Sequence, residues 1–311
     1  MLQRLSKPVD HTSVPSVELT SQRSIKDSGY AVLFIGPTIV LLLIFVFFPM
    51  LKTAYMSFFL TNDYGQATAF VGLSNYLSLL TSPAYLSSLG ATLIFVAAVS
   101  VLTVVLGVAL AVAANQQLKG IRLFRTLFSG TMGGSISVAA IFWLFAFNPS
   151  VGVFAQLSQA LHLPVVNWLT DPKSAMVAII LSTVWMNLGF TFLIIFGALQ
   201  SVPQSLYEAA DIAGASKMTQ LFKVTIPMIS GTLFFVTIVT LIEAFKGFGL
   251  IDMMTEGGPD NATNLLVYRI YADSFLNGNF AQGSTESILL TVIIAIFTLI
   301  QFKFFGKRVH Y

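Results

Sequence analysis

Residues 200–216 read QSVPQSLYEAADIAGAS, a polar stretch that separates two long apolar segments. Pro203 stands near the start of a short predicted helix, and Gly214 is typical of a helix end because glycine tolerates left-handed backbone there. The sequence Glu208-Ala-Ala lies between these two residues. The stretch therefore predicts one short helix that ends abruptly at Gly214.

A second amphipathic segment is predicted directly after this helix. Its apolar side chains share one predicted face: Met218, Leu221, Phe222 and Ile226. Pro227 interrupts a helix and is expected to redirect the chain into the next apolar segment. Residues 200–228 together predict an angled helical elbow.

The composition outside this loop is that of an integral membrane protein. Of 311 residues, 56% are hydrophobic and 9% are charged, whereas a soluble domain has about 25% charged residues. The chain has no cysteine, and His11, His162 and His310 are far apart, so neither a disulfide nor a metal site is predicted.

Six segments are long and apolar enough to cross a bilayer, which requires about 20 residues of helix. The predicted spans are 30–51, 90–114, 126–147, 175–199, 229–250 and 285–304. The expected fold is all-α, with terminal tails at 1–29 and 305–311 around a transmembrane domain at 30–304. The N-terminal stretch has no apolar run before the first span and is interpreted as a tail rather than a cleaved signal peptide.

The distribution of Lys and Arg predicts which side of the membrane each loop faces. One side collects Arg4, Lys7, Arg23, Lys26, Lys119, Arg122, Arg125, Lys217, Lys223, Lys303, Lys307 and Arg308. The other side has Lys52, Lys173 and Arg269, and Lys246 lies at the edge of the fifth span. Both termini and the loop at 200–228 are therefore predicted to be cytoplasmic. These charges lie mostly beside apolar spans, so no nucleic-acid partner is predicted.

Six spans are compatible with a channel, a carrier or half of an ATP-driven importer. No TVGYG-like filter is present, which disfavours a potassium-type channel. The predicted elbow helps to distinguish a carrier from an ATP-driven importer. A solvated connector needs neither Glu-Ala-Ala at a helix start nor an exposed apolar face, whereas a docking surface needs both.

A resemblance to the permease subunits of binding-protein-dependent ABC importers rests on the loop residues Glu208, Ala209, Ala210, Gly214, Ile226 and Pro227. They are spaced as in the EAA signature of that family. The resemblance implies a coupling helix that sits in a groove of a nucleotide-binding subunit. Glu208 would make a polar contact, the two alanines would allow close approach, and Gly214 would permit the turn. The family usually has Asp where this chain has Ala213.

Further stretches are similar to the same family. They are 70–76 (FVGLSNY), 115–125, 143–152 and 255–275, the last containing Thr255-Glu-Gly-Gly-Pro259. Thr131 replaces a proline that is common in the family. Residues 245–259 and the C-terminal end resemble sugar-type permeases that import glycerol 3-phosphate, and related oligosaccharide permeases share much of this pattern.

The resemblance implies several partners in the bacterial inner membrane. These are a second, homologous six-span chain, two nucleotide-binding ATPase subunits and an extracytoplasmic solute-binding protein. No G-x-x-x-x-G-K-[ST] loop occurs in the sequence, so ATP and Mg²⁺ would be bound by the ATPase partners and no catalytic residue is predicted here.

Four residues within the spans are candidates for the solute pathway. Glu243 and Lys246 can pair at i, i+3, and they are interpreted either as a structural ion pair or as pathway lining. Trp185 and Asn187 are interpreted either as packing groups or as solute contacts. A stand-alone carrier that uses Glu243 as an ion site is the alternative function; a membrane-embedded enzyme lacks a catalytic motif in the spans.

Overall fold

The computed structural model describes residues 25–62, 64–116 and 120–305. Most of both predicted tails lies outside these residues, as do six of the basic residues used for topology: Arg4, Lys7, Arg23, Lys119, Lys307 and Arg308. The first helix begins at Ile25, inside the tail predicted at 1–29.

The chain divides into two compact units at Leu51/Lys52. The first unit contains helix α1 (Ile25–Leu42) and a π-helical turn (Leu43–Phe47). Helix α2 (Phe48–Met56) begins in the first unit and ends in the second.

The second unit contains the remaining elements. They are strands β1 (Phe59–Thr61) and β2 (Ala67–Phe70) and helices α3 (Ser74–Thr81), α4 (Pro83–Ala114), α5 (Ile121–Gly130), α6 (Ile136–Ala146), α7 (Val153–Ala160), α8 (Pro172–Gln200), α9 (Gln204–Ile212), α10 (Lys217–Gln220), α11 (Ile226–Met228), α12 (Ser230–Phe245), α13 (Gly249–Met254), α14 (Leu266–Tyr271) and α15 (Phe280–Phe305). A 3₁₀ turn covers Thr131–Gly133, and π turns cover Leu221–Thr225 and Ala272–Leu276.

Strands β1 and β2 form an antiparallel hairpin, so the all-α prediction is wrong for this connection. Phe59 pairs with Phe70, and their rings meet edge to face at 5.3 Å. Aromatic pairs of this kind stabilise adjacent strands. The Asn62 side chain accepts hydrogen bonds from the backbone N–H groups of Tyr64 and Gln66, which closes the turn.

Four helical segments are long and apolar enough to cross a membrane: Val32–Met56, Pro83–Ala114, Pro172–Gln200 and Phe280–Lys303. Three of them begin earlier than predicted, and in two of these three the helix starts at a cap followed by proline. Ser82 precedes Pro83, and Asp171 precedes Pro172 and accepts a hydrogen bond from the Ser174 N–H. A cap followed by proline at the first helical position is a strong helix start.

The third predicted span, 126–147, is not one straight helix. Its two halves, Ile121–Gly133 and Ile136–Ala146, bend by 111°. Gly133, Gly134 and the N-cap Ser135 lie at the break, and α6 alone is about 16 Å long, half the thickness of the hydrocarbon.

The fifth predicted span, 229–250, also differs from the structure. The chain bends by 75° at Ile229, two residues after Pro227, and α12 ends at Phe245. The described residues thus hold four continuous candidate spans, or up to six if each bent pair is one span.

The core of the second unit forms around α4, α8 and α12. One cluster includes the fully buried side chains of Tyr85, Phe95, Phe147 and Phe245. A second cluster, nearer the ends of α4 and α8, includes Ala114, Phe192 and Ile229. The second cluster anchors both the elbow and the start of α12, because Ile229 belongs to it.

Candidate functional site

The first limb of the elbow is helix α9, and its end has the predicted glycine. Gly214 has φ +72°, and its N–H donates to the Asp211 carbonyl at 3.0 Å. The Ala215 N–H donates to the Ala210 carbonyl at 2.9 Å. This pair of bonds is a Schellman motif, which requires left-handed backbone at Gly214.

The exposed surface of α9 carries both polar and apolar side chains. Glu208 and Ala209 are exposed, and Ala210 is half-buried. Ile212 is 90% exposed, the most exposed large apolar side chain among the described residues. Sequence reasoning missed Ile212, although an isoleucine in an otherwise polar helix is a visible signal. Ile212 thus places one exposed apolar side chain beside the polar groups of α9.

The second limb comprises α10, the π turn and α11, and it differs from the predicted amphipathic helix. Met218 and Phe222 are exposed, whereas Leu221 and Ile226 are half-buried. The π turn at Leu221–Thr225 adds a residue to one helical turn, so the four side chains do not share one face. The predicted apolar face is therefore wrong for half of its members.

Side-chain hydrogen bonds join the two limbs. The Tyr207 hydroxyl and Thr225 Oγ1 are 3.0 Å apart. Asp211 Oδ1 accepts hydrogen bonds from Lys217 Nζ, at 3.0 Å, and from Gln220 Nε2. The hydrogen bond from Lys217, followed by that from Gln220, lowers the pKa of Asp211 below its usual range, so the side chain stays an acceptor at neutral pH.

A cleft of about 580 Å³ opens between the elbow and the ends of α4 and α8. Its walls include Asn115, Gln204, Tyr207 and Lys217. At the neighbouring end of α4, Arg125 Nη2 donates to the Ala114 carbonyl at 2.8 Å. The guanidinium also lies 4.6 Å from the centre of the Phe196 ring, so Arg125 fastens α5 to the ends of α4 and α8.

The predicted ion pair near the end of α12 is present. Lys246 Nζ lies 2.9 Å from Glu243 Oε1, and the two side chains are 59% and 51% exposed. Lys246 is the C-cap of α12, where a positive charge is favourable. Because both groups are open on the surface of this chain, the pair is available to water, solute or another subunit.

Trp185 and Asn187 on α8 are both half-buried. Trp185 stacks on Phe142 with 5.8 Å between the ring centres and meets Trp143 edge to face. These contacts support the packing interpretation of Trp185, because its ring belongs to the aromatic contact between α6 and α8.

A buried ionic network was not foreseen from the sequence. Arg269 Nε on α14 lies 2.7 Å from Glu286 Oε1 on α15 and 3.5 Å from Asp273 Oδ2. Gln282 Nε2 donates to Asp273 Oδ2 at 2.8 Å. The Glu286 side chain is fully buried. Arg269, predicted to be a loop charge, is therefore part of the packing between α14 and α15.

In the predicted turn at 255–259, Gly257 is the residue that must be glycine. Gly257 has φ +79°, and a Cβ there would stand 2.9 Å from the Tyr268 ring. Thr263 Oγ1 donates to the Gly258 carbonyl at 2.7 Å, which closes the turn. In the described part of the chain, no group of three or more His, Cys, Asp or Glu side chains could hold a metal ion.

Comparison with known proteins identifies the class defined by this helical arrangement and its exposed elbow. Residues 103–311 match the family described as binding-protein-dependent transport system inner membrane component. Two solved structures of a bacterial ABC transporter for alginate, one of them with an alginate-bound periplasmic protein, have the same fold. Their TM-scores are 0.80 and 0.77, each at 21% identity, covering 91% and 89% of this chain and 97% and 94% of theirs.

Curated relatives are similar over nearly the whole chain. The sn-glycerol-3-phosphate transport system permease protein UgpA of Brucella abortus is 36% identical over 280 residues, which cover 89% of this chain and 94% of that protein. The protein of the same name from Agrobacterium fabrum is 36% identical over 282 residues, 90% of this chain and 95% of that protein. The protein of that name from Yersinia enterocolitica is 34% identical over the same shares.

The chain is a multi-pass membrane protein of the importer-permease class. It belongs to the family of binding-protein-dependent transport system inner membrane components and is the permease subunit of an ABC importer. This assignment replaces the alternative of a stand-alone ion-coupled carrier.

Proposed function

We propose that the importer takes up a small anionic sugar-like solute of the glycerol 3-phosphate type. The observation that carries this proposal is the 34–36% identity, over about nine-tenths of the chain, to permeases named for sn-glycerol 3-phosphate. The exposed ammonium of Lys246 supports it, because a cation on the solute pathway offsets the charge of a phosphate.

The transmembrane domain at 30–304 contains six spans in this proposal, and each bent helix pair contributes one of them. Both termini and the elbow at 200–228 are cytoplasmic, in keeping with the Lys and Arg distribution. The chain works beside a second homologous permease chain and two ATPase subunits that bind ATP and Mg²⁺. A solute-binding protein docks on the opposite side, where the 255–259 turn is a candidate contact.

The elbow couples ATP hydrolysis to transport. Glu208 and Ile212 contact the ATPase, the first through its carboxylate and the second through apolar burial. Ala209 and Ala210 keep the helix surface low enough for close approach, and Gly214 provides the turn. Ile226 and Pro227 connect the docked limb to α12. Their positions on an exposed, internally braced loop support these roles.

Reconstitution of the complete transporter in liposomes tests the solute. ATP-dependent uptake of radiolabelled glycerol 3-phosphate is expected, with little uptake of a neutral disaccharide. Lys246→Ala should weaken the apparent affinity for glycerol 3-phosphate by about 10- to 100-fold, because a hydrogen bond to a charged group is lost. Lys246→Arg should retain most of it. Unchanged uptake by Lys246→Ala would remove this residue from the pathway.

Charge reversal tests the coupling role separately. Glu208→Lys should leave the chain in the membrane but lower uptake while ATPase activity becomes independent of solute. Lys173→Glu, a reversal of equal size at the opposite end of α8, is the matched control and should transport normally. Normal coupling in Glu208→Lys would refute a contact between this carboxylate and the ATPase.

A further inference from the structure

The brace between the two limbs of the elbow centres on Gln220. This side chain is only 4% exposed, although its partners Asp211 and Lys217 are open to solvent. Gln220 Nε2 donates to Asp211 Oδ1 and to the Ala215 carbonyl, the latter at 3.1 Å. Its Oε1 accepts from Lys217 Nζ at 3.2 Å. The amide thus joins the end of α9, the turn and α10.

The exposed ion pair beside it holds the limbs less firmly. The side chains of Lys217 and Asp211 are 81% and 55% exposed, respectively. A pair so accessible to water contributes little to holding the limbs together. The amide of Gln220 is shielded from water and makes hydrogen bonds to three partners in both limbs and the turn. Gln220 therefore holds this end of the brace more strongly than Lys217 does.

A second contact lies at the other end of α9. The Tyr207 hydroxyl meets Thr225 Oγ1, which is buried, and the Thr225 carbonyl accepts the Ile229 N–H at 3.1 Å. On α9, the contacts of Gln220 and Tyr207 are at residues 211 and 207, about one helical turn apart. Two separated attachments define the direction of a helix, whereas a single one leaves it free to pivot.

We infer that Gln220 is a positioning residue of the importer, which holds α9 in a fixed direction so that displacement of α9 moves the base of α12. The path runs from α9 through Gln220 and Thr225 to Ile229, whose side chain is 2% exposed in the core. Without Gln220, α9 pivots on Tyr207 and the turn at Gly214, and movement of α9 is absorbed there. This inference rests on the proposed coupling role of the elbow.

The experiment uses the complete transporter, and the absence of native cysteine allows site-specific labelling. Spin labels are placed at Ser205 on α9 and Met228 on α11, both exposed on this chain and outside the proposed contact with the ATPase. Pulsed electron paramagnetic resonance then measures the distribution of distances between the limbs. In parallel, unlabelled transporters are assayed for solute transported per ATP hydrolysed.

Gln220→Leu should broaden the distance distribution and lower transport per ATP about tenfold, as expected for loss of a charge-assisted hydrogen bond, while the amount of assembled complex stays normal. Lys217→Met is the matched control because it removes the exposed cation and leaves the amide in place; it should change neither readout. The double variant Asp211→Asn with Gln220→Glu exchanges the two groups and restores one donor and one acceptor. It should recover much of the transport per ATP that is lost in Gln220→Glu alone.

Two results would overturn the inference: a Gln220→Leu distribution as narrow as that of the unchanged protein, or a broad one with normal transport per ATP. The Glu208→Lys experiment separates this inference from the proposed coupling role. If Glu208→Lys uncouples and Gln220→Leu does not, the elbow couples without this brace. If Gln220→Leu broadens the distances but Glu208→Lys transports normally, the proposed contact of Glu208 is the part that fails.

Discussion

At the scale of single residues, Glu286 shows how a buried charge depends on its partner. The carboxylate is removed from solvent, and one of its oxygens is 2.7 Å from Arg269 Nε. Burial of an unpaired carboxylate is strongly unfavourable. Because the buried Glu286 requires a cation beside it, Arg269 fixes the position of α14 on α15.

Replacing Arg269 should destabilise the protein by leaving Glu286 unpaired. Arg269→Met should lower the free energy of unfolding by about 3–5 kcal/mol, the effect of breaking a buried ion pair. The midpoint of thermal unfolding in detergent, followed with a thiol-free fluorescence readout, measures the change.

The double variant Arg269→Met with Glu286→Gln is the control for this prediction. It removes both charges, so it should be more stable than Arg269→Met alone. Equal midpoints for the single and double variants would mean that the unpaired carboxylate is not the source of the loss.

Residues with local roles could be predicted from the sequence, and residues with distant partners could not. Gly214 ends α9, and Glu243 pairs with Lys246, because both features depend on neighbours within one or two helical turns. Gln220 with Asp211 and Arg269 with Glu286 depend on how separate elements meet. Nothing in the local pattern around these residues distinguishes them from solvated polar positions.

At the scale of elements, hydropathy predicted where the long apolar segments lie, but it did not predict whether each segment forms a straight helix. Segments 90–114 and 175–199 are indeed single helices, since they contain only isolated glycines and no proline. The segment 126–147 has the same hydropathy but contains Gly130, Gly133, Gly134 and Ser135. Hydropathy does not report the bend of 111° at this cluster, because glycine is nearly neutral on such scales.

The cap at this bend gives a prediction at the element scale. Ser135 Oγ accepts the Val138 N–H at 3.3 Å, so Ser135→Ala should lower stability by about 1 kcal/mol. Ser137→Ala, two residues into the same helix, is the matched control because it leaves the N-cap unchanged. Thermal unfolding of the two variants side by side provides the measurement. A Ser135→Ala midpoint equal to that of Ser137→Ala would show that this cap contributes little.

At the scale of the whole molecule, the family and its fold were predictable because the signature residues lie in one stretch of sequence. The hairpin at 59–70 was not, since its strands are only three and four residues long. Strands so short leave no reliable alternation in the sequence. How the bent pairs cross the bilayer likewise depends on neighbours rather than on hydropathy.

Single cysteines can test the proposed orientation, since the native chain has none. Ser205→Cys in α9 should react with a membrane-impermeant maleimide only after cells are permeabilised. Leu163→Cys, exposed between α7 and α8, should react in intact spheroplasts. Labelling in the reverse order would invert the predicted topology, and labelling of both from one side would contradict an odd number of crossings between them.

The contact between α4 and α8 limits the motions open to this permease. A Cβ on Gly107 would stand 2.5 Å from Thr191 Cγ2, so the Thr191 side chain packs directly against the backbone of α4. Surfaces this close can neither slide nor rotate past each other without steric overlap. Helices α4 and α8 are therefore expected to move together as one rigid body during the transport cycle. We therefore expect the transport cycle to move the surrounding helices around the α4–α8 pair rather than to separate the two helices.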